Sequence, residues 1–333
     1  MSEPARLVGS SQPVELPAEV VTDLDRVEER LRAELVSREP RLERIALHLV
    51  GAGGKRIRPI VVLLAYHAAA RSGGIRRRDD AVEAAVALEL IHSATLLHDD
   101  IIDGNHVRRG RPSALEAFGL ADTLVAGDYL FCRAFALCAR FEREVIRWAA
   151  EACVALTEGE VLQGRFRRNP AVTLADYVEI IERKTAVLFA IGGRTAAHLA
   201  GVPADVVASM EACGRHLGLA FQMQDDLLDV AGAVTDTGKP QGLDLQDGNP
   251  SMPIVLALPH DERLRELFAD PNPQPSDVAD GLRRLRASGV LPRVAQAVHH
   301  ETARGRTCLD ALSPSAARDA LIALIAQLDQ RAS

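Results

Sequence analysis

The stretch Leu90–Ser113, LIHSATLLHDDIIDGNHVRRGRPS, places Asp99, Asp100 and Asp103 after apolar and small residues at helical spacing. Asp99 and Asp103 are four apart, so on a helix they share one face and stand one turn apart. Two carboxylates so placed repel each other, the more so inside an apolar element. A hard divalent cation removes the conflict. Mg²⁺ takes one or two carboxylates and fills its octahedron with water and substrate phosphate. Arg108 and Arg109 follow directly and could hold that phosphate bidentately. Taken alone, the segment also reads as a solvated acidic helix end followed by a basic loop. The pattern recurs at Phe221–Val230, FQMQDDLLDV, where Asp225, Asp226 and Asp229 again sit among apolar residues. Asp225 lies 126 positions after Asp99, too far for a local repeat. Surface decoration explains two such clusters poorly. The economical geometry sets them face to face across a cavity, with metal ions and a polyphosphate between.

Composition narrows the alternatives. At 333 residues the chain can bury a large core, and 47% hydrophobic residues make it globular rather than disordered. Aromatic content of 4% and a net charge of −7 argue against a nucleic-acid surface. No stretch approaches eighteen uninterrupted apolar residues, and the N-terminus lacks the apolar core of a signal peptide, so no transmembrane segment and a cytoplasmic protein are expected. Cys132, Cys138, Cys153, Cys213 and Cys308 form no CxxC pair and read as reduced core residues. Of 39 basic residues only three are lysines, a bias that suggests a GC-rich coding genome. Those three, Lys55, Lys184 and Lys239, stand in GGKRIRP, ERKTAVL and TGKPQG, where a compact cationic head suits phosphate.

Residues 1–16 read as a flexible tail and 17–333 as a single all-α domain, a bundle of roughly ten or more helices around the cavity. Two helices are expected over 17–50, interrupted near Pro40, and another over 60–70. The turn GAGGKRIRP between them carries Lys55, Arg56 and Arg58 at a helix start, a plausible diphosphate cradle. Single helices are expected over 81–103, 114–143, 144–164, 174–199 (with Thr173 as N-cap), 202–230 and 254–269. His92 precedes Asp99 by two turns on the same face, whereas Asp128 and Glu160 read as supporting acids rather than metal ligands. The glycine- and proline-rich segment 231–253 reads as a lid. No strand pattern of useful length is present.

From about Leu24 onward the chain resembles the trans-isoprenyl diphosphate synthases, the all-α polyprenyl synthetases. The resemblance rests on an ordered set: GGKRIRP, HDDIID with RRGRPS, GDYL, EGE, KT, FQMQDDLLD and GKPQGLDLQDGNPSMP. It implies that Asp99, Asp100, Asp103, Asp225, Asp226 and Asp229 bind three Mg²⁺ ions bridging an allylic diphosphate. Arg108, Lys184 and Lys239 would contact that diphosphate. Lys55, Arg58, His92 and Arg109 would hold the diphosphate of isopentenyl diphosphate. Thr185 and Gln222 would present oxygens near the developing cation. A departure stands at Asn249 and Ser251, where many members have Lys and Thr; it bears on one diphosphate-contacting charge, although long-chain members resemble this chain there. A homodimer is implied by the resemblance alone.

The implied reaction is head-to-tail condensation. Ala94 and Thr95 would lie one turn below Asp99, about 6–8 Å down the helix, and both are small. With Ile91 and Leu88 further down, the pocket is expected to run on, favouring a product longer than C15, in the C30–C50 range. Geranylgeranyl diphosphate (C20) is the rival product. A class I terpene cyclase fits less well, because the chain has a second DDxxD and a second diphosphate cradle. A non-catalytic partner subunit fits less well because both clusters are intact.

Overall fold

The computed structural model describes residues 14–51, 53–71, 77–232 and 241–332. The expectation of an all-α fold holds. The first helices are α1 (Ala18–Leu35), α2 (Pro40–Val50), α3 (Ile57–Ala70) and α4 (Arg78–Ile102). Pro40 opens α2, where its missing N–H costs nothing, and the Glu39 side chain accepts from Arg41 N at 3.1 Å. Residues 1–13 of the expected tail lie outside the described residues. Its end is anchored, with Val14 buried and Leu16 packed on the core, because apolar side chains beside a helix start gain by leaving water.

After α4 the chain makes a short hairpin, β1 (Val107–Arg108) and β2 (Arg111–Pro112). Two-residue strands are too short to show an alternating pattern, so the sequence gives no sign of them. Arg109 and Gly110 form the turn at φ 53° and 72°, the left-handed pair that a tight hairpin requires. The helix expected over 114–143 divides into α5 (Ala114–Phe118) and α6 (Leu120–Cys138). Gly119 separates them at φ 85°, a backbone region closed to most side chains. Then come α7 (Arg143–Phe166), α8 (Leu174–Ile181), α9 (Val187–Leu199) and α10 (Ala204–Ala231). Thr173 caps α8 as expected, accepting from Asp176 N at 3.2 Å while Asp176 accepts from Thr173 N at 2.9 Å.

The single helix expected over 174–199 is interrupted by a π-helical turn, Glu182–Ala186, which holds Lys184 and Thr185. The chain then runs through α11 (Leu243–Asp247), α12 (Met252–Ala257), α13 (Glu262–Ala269), α14 (Pro275–Ala287), α15 (Leu291–Cys308) and α16 (Ala316–Ala332). The helix expected over 254–269 breaks after a 3₁₀ turn at Leu258–His260, and Asp261 restarts it by accepting from Leu264 N at 3.0 Å. The expected lid segment 231–253 therefore contains α11 and the start of α12, while 233–240, with Lys239, lies outside the described residues.

One continuous apolar core runs from Val14 to Leu328. Its centre is the α9–α10 hairpin. A Cβ at Gly214 would stand 2.1 Å from Phe189 O, and one at Gly193 2.3 Å from Met210 O. Only glycine permits backbones this close, and the approach carries the π turn to the face of α10 that holds Gln222. α4 is long and apolar enough to cross a bilayer, at a mean hydropathy of 1.2, but 72% of that window is buried within the protein. That burial marks a core helix.

Candidate active site

The first aspartate cluster ends α4. Asp100 is fully buried and accepts from Arg108 Nε at 2.7 Å, so the hairpin folds back onto the helix end. Asp103 pairs with Arg167, from the turn after α7. Asp99 has a different setting. Burial first, then the Glu160 and Asp103 carboxylates, push its pKa up to about 7 against the pull of Lys184.

The second cluster lies near the end of α10. Asp225 is exposed, whereas Asp226 is buried. Three donors hold Asp226: Tyr177 Oη at 2.6 Å, Gln222 Nε2 at 2.9 Å and Met252 N at 2.9 Å. Burial nevertheless raises its pKa to about 6. Asp229 accepts from the amides of Leu243 at 3.1 Å and Asp244 at 3.3 Å, seating the first turn of α11.

A chain of contacts joins the clusters. Lys184, whose charge acts on Asp99, pairs with Glu160 and also donates to Gln163. Next to it, Thr185 Oγ1 donates to Gln222 Oε1 at 2.8 Å, and Gln222 in turn holds Asp226. The π turn makes this bridge, presenting Lys184 to Glu160 and Gln163 on α7 and Thr185 to Gln222 on α10; such turns gather at functional sites. Gly159 lets α7 close in, for a Cβ there would lie 2.7 Å from Arg183 Cβ.

Cations gather on the α3 side. His92 is held neutral, its pKa well below the usual range, first by burial and then by Arg58, Arg109, Arg108 and Arg56. Arg58 lies 5.0 Å above the Phe189 ring, its Nε buried with no hydrogen-bond partner, and burial lowers its pKa to about 10. It stays charged at pH 7. The Arg109 fork lies where a Cβ on Gly54 would be, at 3.0 Å, and Lys55 is exposed on the same turn. Arg56 is not part of that turn's open face. It sits at φ 48° and is tied down by Glu28 at 2.5 Å, Glu89 at 3.0 Å and Val50 O at 3.1 Å.

Several site residues escaped the sequence reading. Arg167 and Arg168, inside a plain FRRNP turn, bind the loop beyond α11: Arg167 Nε donates to Asn249 Oδ1 at 3.2 Å, and Arg168 Nη2 to Gln246 O at 2.7 Å. Asp244 and Asp247 add to the acidic zone. Asp244 is held well above the usual carboxylate range by burial and by Asp229, Asp226 and Asp225, and Asp247 is raised by burial and then by Asp103. The DLQD spacing around them was the available signal. Glu160, read as a supporting acid, is the partner of Lys184.

This crowd of carboxylates fits a hard divalent cation. Among the described residues no three His, Cys, Asp or Glu side chains close around one point as a cage. Mg²⁺ needs no such cage, because it keeps waters and substrate oxygens in its shell. Below Asp99, Thr95 is half-buried and donates to His92 O at 2.8 Å. Ala94 and Ile91 are fully buried.

The polyprenyl synthetase family matches this chain over residues 39–284. The chain belongs to the polyprenyl synthetase family. It is a prenyltransferase. An octaprenyl diphosphate synthase of Haemophilus influenzae is 38% identical over 72% of this chain and 71% of its own length. A nonaprenyl diphosphate synthase of Mycobacterium tuberculosis is 33% identical over 92% of each chain. Among solved structures, a polyprenyl synthase of Caulobacter crescentus complexed with calcium and isoprenyl diphosphate superposes with a TM-score of 0.88 at 31% identity, covering 98% of this chain and 99% of its own. In this polyprenyl synthetase the two aspartate clusters end α4 and α10, and Arg58, His92 and Arg109 lie on the α3 side.

Proposed function

We propose that this prenyltransferase is a long-chain trans-polyprenyl diphosphate synthase, extending an allylic diphosphate with isopentenyl diphosphate to C30–C50. The observation that carries this reading is the separation of two anion sites: the acidic zone of both clusters, and the cradle of Lys55, Arg58, His92 and Arg109. Asp99, Asp103 and Asp225 would hold Mg²⁺, with Asp100 and Asp226 fixing the helix ends that carry them. Mg²⁺ held there, three ions by family resemblance, would neutralise the departing diphosphate. Arg108, Lys184 and Lys239 bind the same diphosphate as its C–O bond breaks to leave an allylic cation. The cradle aligns isopentenyl diphosphate, whose alkene electrons form the new C–C bond. A proton then leaves to the released diphosphate, so no protein base is required. Thr185 and Gln222 turn oxygens toward the cation, and the apolar walls keep water from it.

Product length follows from the absence of bulk below Asp99. Thr95 is the better floor position, being half-buried and in line with Asp99, whereas Ala94 is packed into the core. Relatives named for octaprenyl and nonaprenyl products support the long-chain reading over C20. A homodimer is supported by exposed apolar side chains on α6 (Leu120, Leu124, Val125) and α7 (Val154, Val161). All five cysteines are unpaired, which suits a reducing compartment such as the cytoplasm.

Purified protein incubated with Mg²⁺, isopentenyl diphosphate and C5 to C20 allylic primers should give products of C30 or longer, sized by mass spectrometry after dephosphorylation. Thr95→Phe should shorten them. A stop at C20 in the unaltered protein would refute the long-chain assignment, and no elongation from any primer would refute synthase activity.

A further inference from the structure

The turn after α7 brings one cation to the acidic end of the site. Arg167 Nη2 pairs with Asp103, its Nε donates to Asn249 Oδ1 at 3.2 Å, and its Nη1 reaches Ile102 O at 3.5 Å. Asp247 also lies within its field. The placement is built. Arg168, the next residue, is held at φ 56°, its N donating to Gly248 O at 2.8 Å and its side chain to the carbonyls of Gln246 and Asp270. A non-glycine residue in that region is held there only by its surroundings. Arg168 thus clamps the turn to the loop beyond α11, which sets Arg167 against Asp103 and Asn249.

Asn249 supplies what a cation at that position would lack. An amide oxygen accepts from Arg167 Nε, whereas a lysine has only donors and would crowd a second positive charge against the guanidinium. The pair Arg167–Asn249 therefore presents one oriented positive charge beside Asp103. With its Nε on Asn249, the guanidinium turns its Nη2 edge to the Asp103 carboxylate, and a fork of this kind matches phosphate oxygens as well.

We propose that Arg167 is a diphosphate-binding residue, oriented by Asn249, and that it supplies the positive charge which residue 249 does not carry. The inference rests on the synthase reading above. With diphosphate bound, the Nη2 edge of Arg167, here on Asp103, would take a diphosphate oxygen while Nε stays on Asn249.

The test uses the full-length protein and inorganic diphosphate with Mg²⁺, titrated by calorimetry, beside steady-state kinetics with both substrates. Arg167→Gln removes the charge but can still donate to Asn249. It should weaken diphosphate binding by roughly 10- to 100-fold, the effect of a lost charge-assisted hydrogen bond. It should raise KM for the allylic substrate more than KM for isopentenyl diphosphate. Arg167→Ala should behave alike, with Arg167→Gln deciding if the alanine variant does not fold. The double variant Arg167→Gln/Asn249→Lys should recover most of the loss, because it returns one cation to the same place. Unchanged diphosphate affinity in Arg167→Gln would overturn the proposal. So would an affinity loss that Asn249→Lys does not rescue in a protein that melts normally, since a purely structural role predicts no such rescue. Failure of the unaltered protein to elongate any primer would instead count against the synthase reading.

Discussion

The two aspartate clusters share one sequence pattern and are held in opposite ways. At the end of α4, arginines from outside the helix hold Asp100 and Asp103, so charge meets charge. At the end of α10, neutral groups hold Asp226: a phenol, an amide and a backbone N–H. One feature is common to both. The middle aspartate is the buried one, Asp100 at 0% exposure and Asp226 at 4%. A DDxxD segment on a helix thus divides into an outer pair on one face and an inner anchor turned into the core. The arginine-held cluster can exchange partners when a metal or phosphate arrives. The cluster held by Tyr177, Gln222 and Met252 N is a fixed wall.

The largest effects should separate outer residues from anchors. Asp99→Asn and Asp225→Asn should each lower kcat by about 10²–10³-fold, the scale of a lost electrostatic stabiliser, in a protein that stays fully folded by circular dichroism. If Asp225→Asn left kcat intact, the outer-pair reading would fail for α10.

Next in size is stability. Asp226→Ala strands the buried Tyr177 hydroxyl and the Met252 N–H, and should cost about 3 kcal/mol in urea unfolding. Asp225→Ala, on the exposed side, should stay within about 0.5 kcal/mol. Equal costs at the two positions would erase the distinction.

The smallest effect is the pH dependence without metal. Asp99 and Asp226 are raised from 3.8 to about 7 and about 6, so the folded state binds more protons than the unfolded chain between those values. Their contribution is fully present below about pH 3.8 and is lost as pH rises through 6 and 7. Asp23, Asp261 and Glu301 are shifted down and add no slope above pH 5.5. In EDTA the protein should therefore melt about 2–4 °C lower at pH 8 than at pH 5.5. Mg²⁺ should stabilise it more at pH 8, where the carboxylates are free of protons. Asp244, also held high, adds to this fall with pH, and His92, held neutral, opposes it. Scanning calorimetry of Asp99→Asn and Asp226→Asn should each show a shallower fall than the unaltered protein, and an unchanged slope would contradict the shift at that residue.

Much of this site was legible in the chain. The aspartates, Lys184, Thr185 and the GGKRIRP turn sit in dense local patterns whose chemistry is readable from spacing. The helical content was legible for the same reason, since apolar periodicity is local. Arg167 was not, because nothing near FRRNP shows that its partners lie at Asp103 and Asn249, far away in sequence. Arg56 was hidden too: beside Lys55 and Arg58 it looks like another cradle cation, yet Glu28 and Glu89 claim it. The π turn at Glu182–Ala186 leaves no mark either, since an inserted helical residue preserves composition and disturbs period only briefly.

By itself the sequence determined which side chains could do the chemistry and that they stand on helices. Residue type and a 3.6-residue period are properties of short segments. Tertiary structure alone decided which aspartates face outward, that Glu28 and Glu89 claim Arg56, and how the first cluster joins the loop beyond α11. Those outcomes depend on burial and on partners distant along the chain, and only packing brings such partners together.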